Sequence, residues 1–228
     1  MPDSDRLSAV VFDLDGLMFN TETLYQNVGT ELLARRGKRF EAELLDRMMG
    51  RPNAVALQIM IDWHGLSDTV PLLAEESEQI FAGILDEQLE CMPGLNELMD
   101  ALESAGIPKA IATSSGRRFV QNVLSRFDFA PRFKFILTSE DVVEGKPQPE
   151  IYQTAAARFG LPPRRVMVLE DSENGCRAAV AAGAFTVAVP SGHSRRHDFT
   201  GAQFVAETLA DPRIYVALQL PAPRDDTR

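Results

Sequence analysis

The chain has 228 residues, 45% of them hydrophobic and 25% charged, which is the composition of a globular protein able to bury one or two apolar cores and excludes a disordered or fibrous chain. Its formal net charge of -10 at pH 7, from 33 acidic against 23 basic residues, repels nucleic acid and anionic lipid over most of the surface, so neither is an expected partner. Cys91 and Cys176 lie far apart with no partnering histidine spacing, no apolar run approaches the roughly 20 residues of a membrane span, and the start MPDSDRLS lacks a signal pattern; two reduced thiols and a cytoplasmic location are expected.

The first element along the chain is SAVVFD, residues 8–13, a short apolar run that stops at acidic residues and a glycine. That is the pattern of a buried parallel strand feeding a loop. Residues 21–90 then hold no convincing strand. Leu24, Val28, Leu32 and Leu33, then Leu44, Leu45 and Met48, then Leu57, Ile61, Ile80, Ile84 and Leu85 recur at helical spacing. Pro93 and Gly94 mark the return to a second regime, in which helical patterns at 95–104, 119–127, 149–159 and 174–182 alternate with apolar runs. These runs are KAIAT (109–113), FKFILT (133–138), RVMVLED (165–171), FTVAVP (185–190) and a weaker QFVA (203–206). Glycines follow three of the helices as stops, and PAPRDDTR closes the chain as a solvated tail. Strands alternating with helices imply an α/β fold with a parallel sheet and helices on both faces. The expected organisation is a discontinuous core of residues 1–19 and 91–228 carrying an all-helical insertion of residues 20–90.

Ligands of such sheets bind beyond the carboxyl ends of the strands, where loops from separate strands converge. Asp13 and Asp15 follow the first strand, Thr113, Ser114 and Ser115 the second, Lys146 lies in the loop after the third, and Glu170 and Asp171 close the fourth. Carboxylates crowded together repel unless a hard cation joins them, and Mg2+ prefers a few carboxylates plus substrate oxygens and water. This set suits phosphoryl transfer, which demands positioning and charge stabilisation. Asp13 could attack phosphorus, Asp15 could act as acid and then base, Thr113 and the turn of Ser114 and Ser115 could hold phosphate oxygens, and Lys146 would supply fixed positive charge. An EF-hand reading of Asp13-Leu-Asp15-Gly fails because the next ligand positions are apolar and a strand precedes it.

In order and wording these segments resemble the haloacid-dehalogenase superfamily, in its phosphatase and β-phosphoglucomutase-like branch. FDLDGLMFNTE is similar to its first motif, IATSS to its second, EGKPQPEIY to its third and VLEDSENG to its fourth. The resemblance implies a Rossmann-like core with a mobile helical cap, Asp13 as nucleophile, Asp15 as acid/base whose carbonyl also meets Mg2+, and Asp171 as the other protein ligand supported by Glu170. It gives Thr113 and Lys146 the phosphate-binding roles, and Gly50-Arg51-Pro52 resembles the branch's substrate loop, which makes Gly50 and Arg51 candidate substrate contacts.

Two departures stand out. Asn20 replaces an aspartate usual before the Thr-Glu pair, and Tyr25 stands where sugar-phosphate mutases of the branch carry a cap histidine. Hydrolysis of a small phosphate monoester, a sugar phosphate or a phosphoglycolate-like metabolite, is therefore expected ahead of the mutase reaction. A haloacid dehalogenase would have no use for Asp15 or a metal pair, and a noncatalytic phosphate-binding module is the remote alternative.

Overall fold

The computed structural model describes residues 6–48 and 53–222, and two stretches of chain, 6–20 with 90–222 and 21–89, form separate compact units. None of the described helices is long and apolar enough to cross a membrane. The first unit is built on a six-stranded, wholly parallel sheet: β1 (Ala9–Phe12), β2 (Lys109–Ala112), β3 (Ile136–Leu137), β4 (Val166–Glu170), β5 (Phe185–Ala188) and β6 (Phe204–Val205). Its spatial order is β3-β2-β1-β4-β5-β6. The chain thus winds outward from β1 on one side, then returns to β4 and winds outward on the other. The reversal lies between β1 and β4, where crossover loops diverge and leave a crevice at the carboxyl ends.

All four residues of β1, all four of β2 and all five of β4 are buried, as expected of strands covered on both faces. α5 (Leu95–Ser104), α6 (Arg117–Leu124), α7 (Glu150–Phe159) and α8 (Glu173–Ala181) follow the predicted helical patterns to within a few residues. On one face Ile151, Tyr152, Ala155 and Ala156 of α7 and Ala178 and Ala179 of α8 pack with Ala9, Val11 and Val168 of the central strands. Small alanines there let helices approach the sheet closely.

The expected strand at 133–138 shrinks to two residues, β3. Its backbone still runs beside β2, with Lys134 N donating to Lys109 O and Ile111 N to Phe135 O. As an edge segment it keeps only one neighbour, so its ladder is short. A helix the sequence reading did not foresee, α9 (Pro212–Leu218), begins with Asp211 accepting from Arg213 N and proline in its first turn, and buries Ile214, Tyr215 and Leu218.

The second unit holds α1 (Thr21–Ala34), α2 (Ala42–Met48), α3 (Asn53–His64) and α4 (Val70–Gln88). Its core is Leu24, Val28, Leu32, Leu33, Leu44, Leu57, Met60, Leu73, Ile80, Phe81 and Leu85. Ile61 and Ile84 are only half-buried, while Met60 and Phe81 lie inside. Tyr25 is 46% exposed and stacks on Phe81 with ring centroids 4.8 Å apart, and Arg47 lies over the Trp63 ring at 4.8 Å. Where the chain leaves and re-enters the first unit, Asn20 N donates to Glu90 O and Asn20 Oδ1 accepts from Glu90 N at 2.9 Å, while Met92 N donates to Met18 O. Asn20 thus ties the outgoing and returning segments together through amide chemistry that needs no charge.

Candidate active site

Register sets the site. β1 pairs Phe12 with Ile111 of β2 and with Leu169 of β4, so the next residues, Asp13, Ala112 and Glu170, sit level at the carboxyl edge of three neighbouring strands. Asp13 N continues the ladder by donating to Leu169 O, which fixes the backbone beneath its side chain. Beyond it the chain turns sharply at Gly16, whose φ of 76° is a conformation L side chains rarely adopt.

Lys146 reaches this edge from the loop after β3. Its ammonium donates to Asp13 Oδ1 at 2.6 Å, to Glu170 Oε1 at 2.6 Å and to Ala112 O at 3.0 Å, which uses all three of its protons. Glu170, fully buried, also accepts at Oε1 from the Tyr152 hydroxyl at 2.6 Å and at Oε2 from Ser172 Oγ at 2.9 Å and Ser172 N at 3.2 Å. The Ser172 hydroxyl in turn accepts from Gly175 N and caps α8.

Asp15 faces a different set. Its Oδ2 accepts from Ser115 Oγ at 2.6 Å and from Thr113 Oγ1 at 3.2 Å, while Thr113 Oγ1 accepts from Ser115 N at 3.0 Å. Thr113 and Ser115, placed on the phosphate by the sequence reading, are turned toward Asp15, and Ser114 is the exposed member of the turn. The turn is also lashed from outside: Ser139 N donates to Ser115 O, and the Glu140 carboxylate accepts from Arg117 N at 3.0 and 3.1 Å. Gly50 and Arg51 lie outside the described residues.

Burial raises the Asp13 carboxyl from 3.8 to about 8, with Glu170 and Asp15 adding to the shift and Lys146 opposing it. Burial likewise works against the Lys146 ammonium, but Asp13 and Glu170 outweigh it and hold that group above the ordinary lysine value. The Tyr152 phenol is pushed well up by burial and then by Glu170 and Asp13, so it stays a donor.

Asp13, Glu170 and Asp171 are all buried, and each offers a carboxylate oxygen within 4.8 Å of the others. Ionised together, three buried carboxyl groups would exceed the one ammonium in charge, and hard oxygen donors in that number fit a divalent cation such as Mg2+, whose charge would favour the ionised form of Asp13. Both oxygens of Glu170 are already met by protein donors, so its first task is to hold Lys146. The Asp15 carboxylate is not a member of this three-oxygen group.

Sequence reasoning assigned nothing to Tyr152, Ser172 or Gly175. A Cβ on Gly175 would lie 1.7 Å from Glu170 Oε1, so only glycine admits the carboxylate there. The signal available was the clustering of these residues within the third and fourth motifs.

Residues 10–189 match the family described as haloacid dehalogenase-like hydrolase. The chain is 33% identical over 181 residues to the phosphorylated carbohydrates phosphatase of Thermotoga maritima, covering 78% of this chain and 82% of that protein. It is 30% identical over 208 residues to the bifunctional riboflavin kinase/FMN phosphatase of Arabidopsis thaliana, covering 91% of this chain and 55% of that protein, so the chain spans about half of that relative's length. Among solved structures, CbbY from Rhodobacter sphaeroides in complex with phosphate is similar, with a TM-score of 0.76 and 26% identity, covering 89% of this chain and 95% of that one.

Proposed function

The chain belongs to the haloacid dehalogenase-like hydrolase family, and from that premise we propose that it is a Mg2+-dependent phosphatase that hydrolyses a small phosphate monoester through Asp13. The observation that supports this best is the meeting of Asp13, Lys146, Glu170 and Asp171 at the carboxyl edge of adjacent strands. The phosphatase names of the relatives from Thermotoga and Arabidopsis point the same way.

In the first half-reaction an Asp13 carboxylate oxygen attacks phosphorus, forming an O–P bond as the bond to the substrate's alcohol oxygen breaks. Asp15 gives that oxygen a proton. In the second half-reaction Asp15 takes a proton from water, whose oxygen attacks the aspartyl phosphate. Phosphate leaves and the Asp13 carboxylate is restored. Lys146 and the exposed Ser114 end of the turn face the charge on the equatorial oxygens, and Thr113 and Ser115 hold Asp15 ready. A Mg2+ ion held by Asp13, Asp171 and the Asp15 carbonyl would neutralise charge between nucleophile and phosphate.

A sugar phosphate or a phosphoglycolate-like metabolite is the proposed substrate class, bound in a soluble, cytoplasmic setting. Tyr25 in place of a histidine favours hydrolysis over the mutase reaction. A panel of phosphate esters assayed for free phosphate, with Mg2+ and with EDTA, tests the proposal. Turnover that needs the metal is expected, and glucose 6-phosphate formed from glucose 1-phosphate without free phosphate would shift the reading to a mutase. Asp13→Asn replaces one oxygen by an amide of similar size and should abolish turnover with an unchanged circular dichroism spectrum; near-normal activity in that variant removes Asp13 from the nucleophile's role.

A further inference from the structure

We propose that Tyr152 is a positioning residue for this reaction, its hydroxyl and its ring together holding the Lys146 ammonium level with the Asp13 carboxylate. The inference rests on the function proposed above and extends it to a side chain that does not itself reach the reacting atoms.

Lys146 is shared. Its ammonium lies 2.6 Å from an oxygen of Asp13 and 2.6 Å from an oxygen of Glu170, so the two carboxylates compete for one cation on a flexible four-carbon stem. Tyr152 biases that competition. Its hydroxyl fills a second lone pair on the same Glu170 oxygen at 2.6 Å, and with two bonds from Ser172 on the other oxygen the carboxylate's four acceptor positions are met. Saturated in this way, Glu170 draws less on Lys146 than a carboxylate with an empty lone pair would, and the ammonium stays available to Asp13 and to charge arriving on phosphate.

The ring supplies the other half. Lys146 Nζ lies over the Tyr152 ring, 5.0 Å from its centroid, within cation–π range, so the aromatic face adds its own attraction to the ammonium. The ring itself cannot drift, because Tyr152 is 2% exposed and its helix neighbours Ile151, Ala155 and Ala156 share the core cluster with β1 and β4. Position in the fold therefore passes from packed core to ring, and from ring to lysine.

The test separates hydroxyl from ring and adds a readout that does not depend on turnover. In Tyr152→Phe the ring stays and one bond to a charged group is lost, so kcat should fall about tenfold with KM within about twofold, and the melting temperature should fall by roughly 3–10 °C while the protein stays folded at the assay temperature. Tyr152→Leu removes both and should fall further, so that Phe partly rescues Leu. In parallel, 1H–15N spectra of the lysine ammonium groups should contain a slowly exchanging Lys146 signal, assigned by its loss in Lys146→Met or, should that variant not fold, in Lys146→Arg. The signal should shift or broaden in Tyr152→Phe. Wild-type kcat with an unmoved Lys146 signal in Tyr152→Phe overturns the proposal. So does a loss of activity that follows loss of folded protein while the signal in the remaining native fraction is unmoved. If the wild-type protein turns over no phosphate ester, the proposed function fails, and the ammonium signal still decides whether Tyr152 positions Lys146.

Discussion

At Gly175 the arrangement depends on a missing methyl group. A Cβ at that position would sit 1.7 Å from Oε1 and 1.9 Å from Cδ of Glu170, and Glu170 is held by Lys146, Tyr152 and Ser172. Neither side can yield without breaking bonds to buried charge. Gly175→Ala should cost about 1–3 kcal/mol, seen as a lower urea midpoint, and should cut kcat at least roughly tenfold because Lys146 follows Glu170. A variant with the wild-type midpoint and turnover would show that the carboxylate has room to move. This is the level at which the sequence was both most and least informative. Asp13, Lys146, Glu170 and Asp171 drew attention because ionisable residues at the ends of apolar runs are chemically conspicuous, and the fold brings those four together. Ser115 and Tyr152 could not be placed the same way. Whether a hydroxyl faces a phosphate or a carboxylate depends on the direction of its side chain, which spacing along the chain does not encode.

Among the elements of the helical unit, one ion-pair network joins α1 to α4. Arg36, just past the end of α1, donates to Asp68 at 2.8 and 2.9 Å, to Glu76 at 2.6 Å and to the Leu32 carbonyl at 2.7 Å. It thereby caps the helix it follows and pins the start of α4. The three side chains are 18%, 22% and 24% exposed, between the regimes of surface and buried pairs, so Arg36→Met should cost about 1–2 kcal/mol at pH 7. The hydrogen bonds to Arg36 lower both the Asp68 and the Glu76 carboxyls from 3.8 and 4.5. With depressed folded-state values the stabilisation is complete above those ordinary values and is lost as pH falls through the lowered ones. The gap in denaturant midpoint between wild type and Arg36→Met should therefore be widest near neutrality and close in acid below about pH 4; a gap that widens in acid would contradict the network. Helical periodicity announced these elements well, yet it chose Ile61 where the neighbouring Met60 is the buried residue. A window of apolar neighbours fixes a face only to within one position, and the packing partner decides the rest. α9 escaped notice although Ile214, Tyr215 and Leu218 repeat the spacing of Leu44, Leu45 and Met48 and Asp211-Pro212 was a legible start.

For the molecule as a whole, the balance of charge is the governing fact. A chain of net charge -10 that holds a phosphate ester, as proposed, cannot rely on its general field, which repels such a ligand. The fold answers locally, by placing the carboxyl ends of β1 and β4 at the point where the sheet's winding reverses, so that acidic residues about 150 positions apart in the chain share one crevice. Left to themselves, those carboxylates are under tension, and burial holds Asp13 at about 8. Any cation that binds them in the folded state alone must stabilise that state by linkage, by about 2.7 kcal/mol at a hundredfold excess over its dissociation constant. For a protein of this size that corresponds to a rise in melting temperature of roughly 5–10 °C. Mg2+ added to metal-free protein should therefore raise the melting temperature in a saturable way, and EDTA should reverse the rise. Asp171→Asn keeps the shape of the side chain while removing its charge, so the rise should shrink to little or nothing in that variant. An equal rise in Asp171→Asn would mean that the ion binds elsewhere on an acidic surface, and no rise in the wild type would mean that Lys146 alone answers the charge of the crevice.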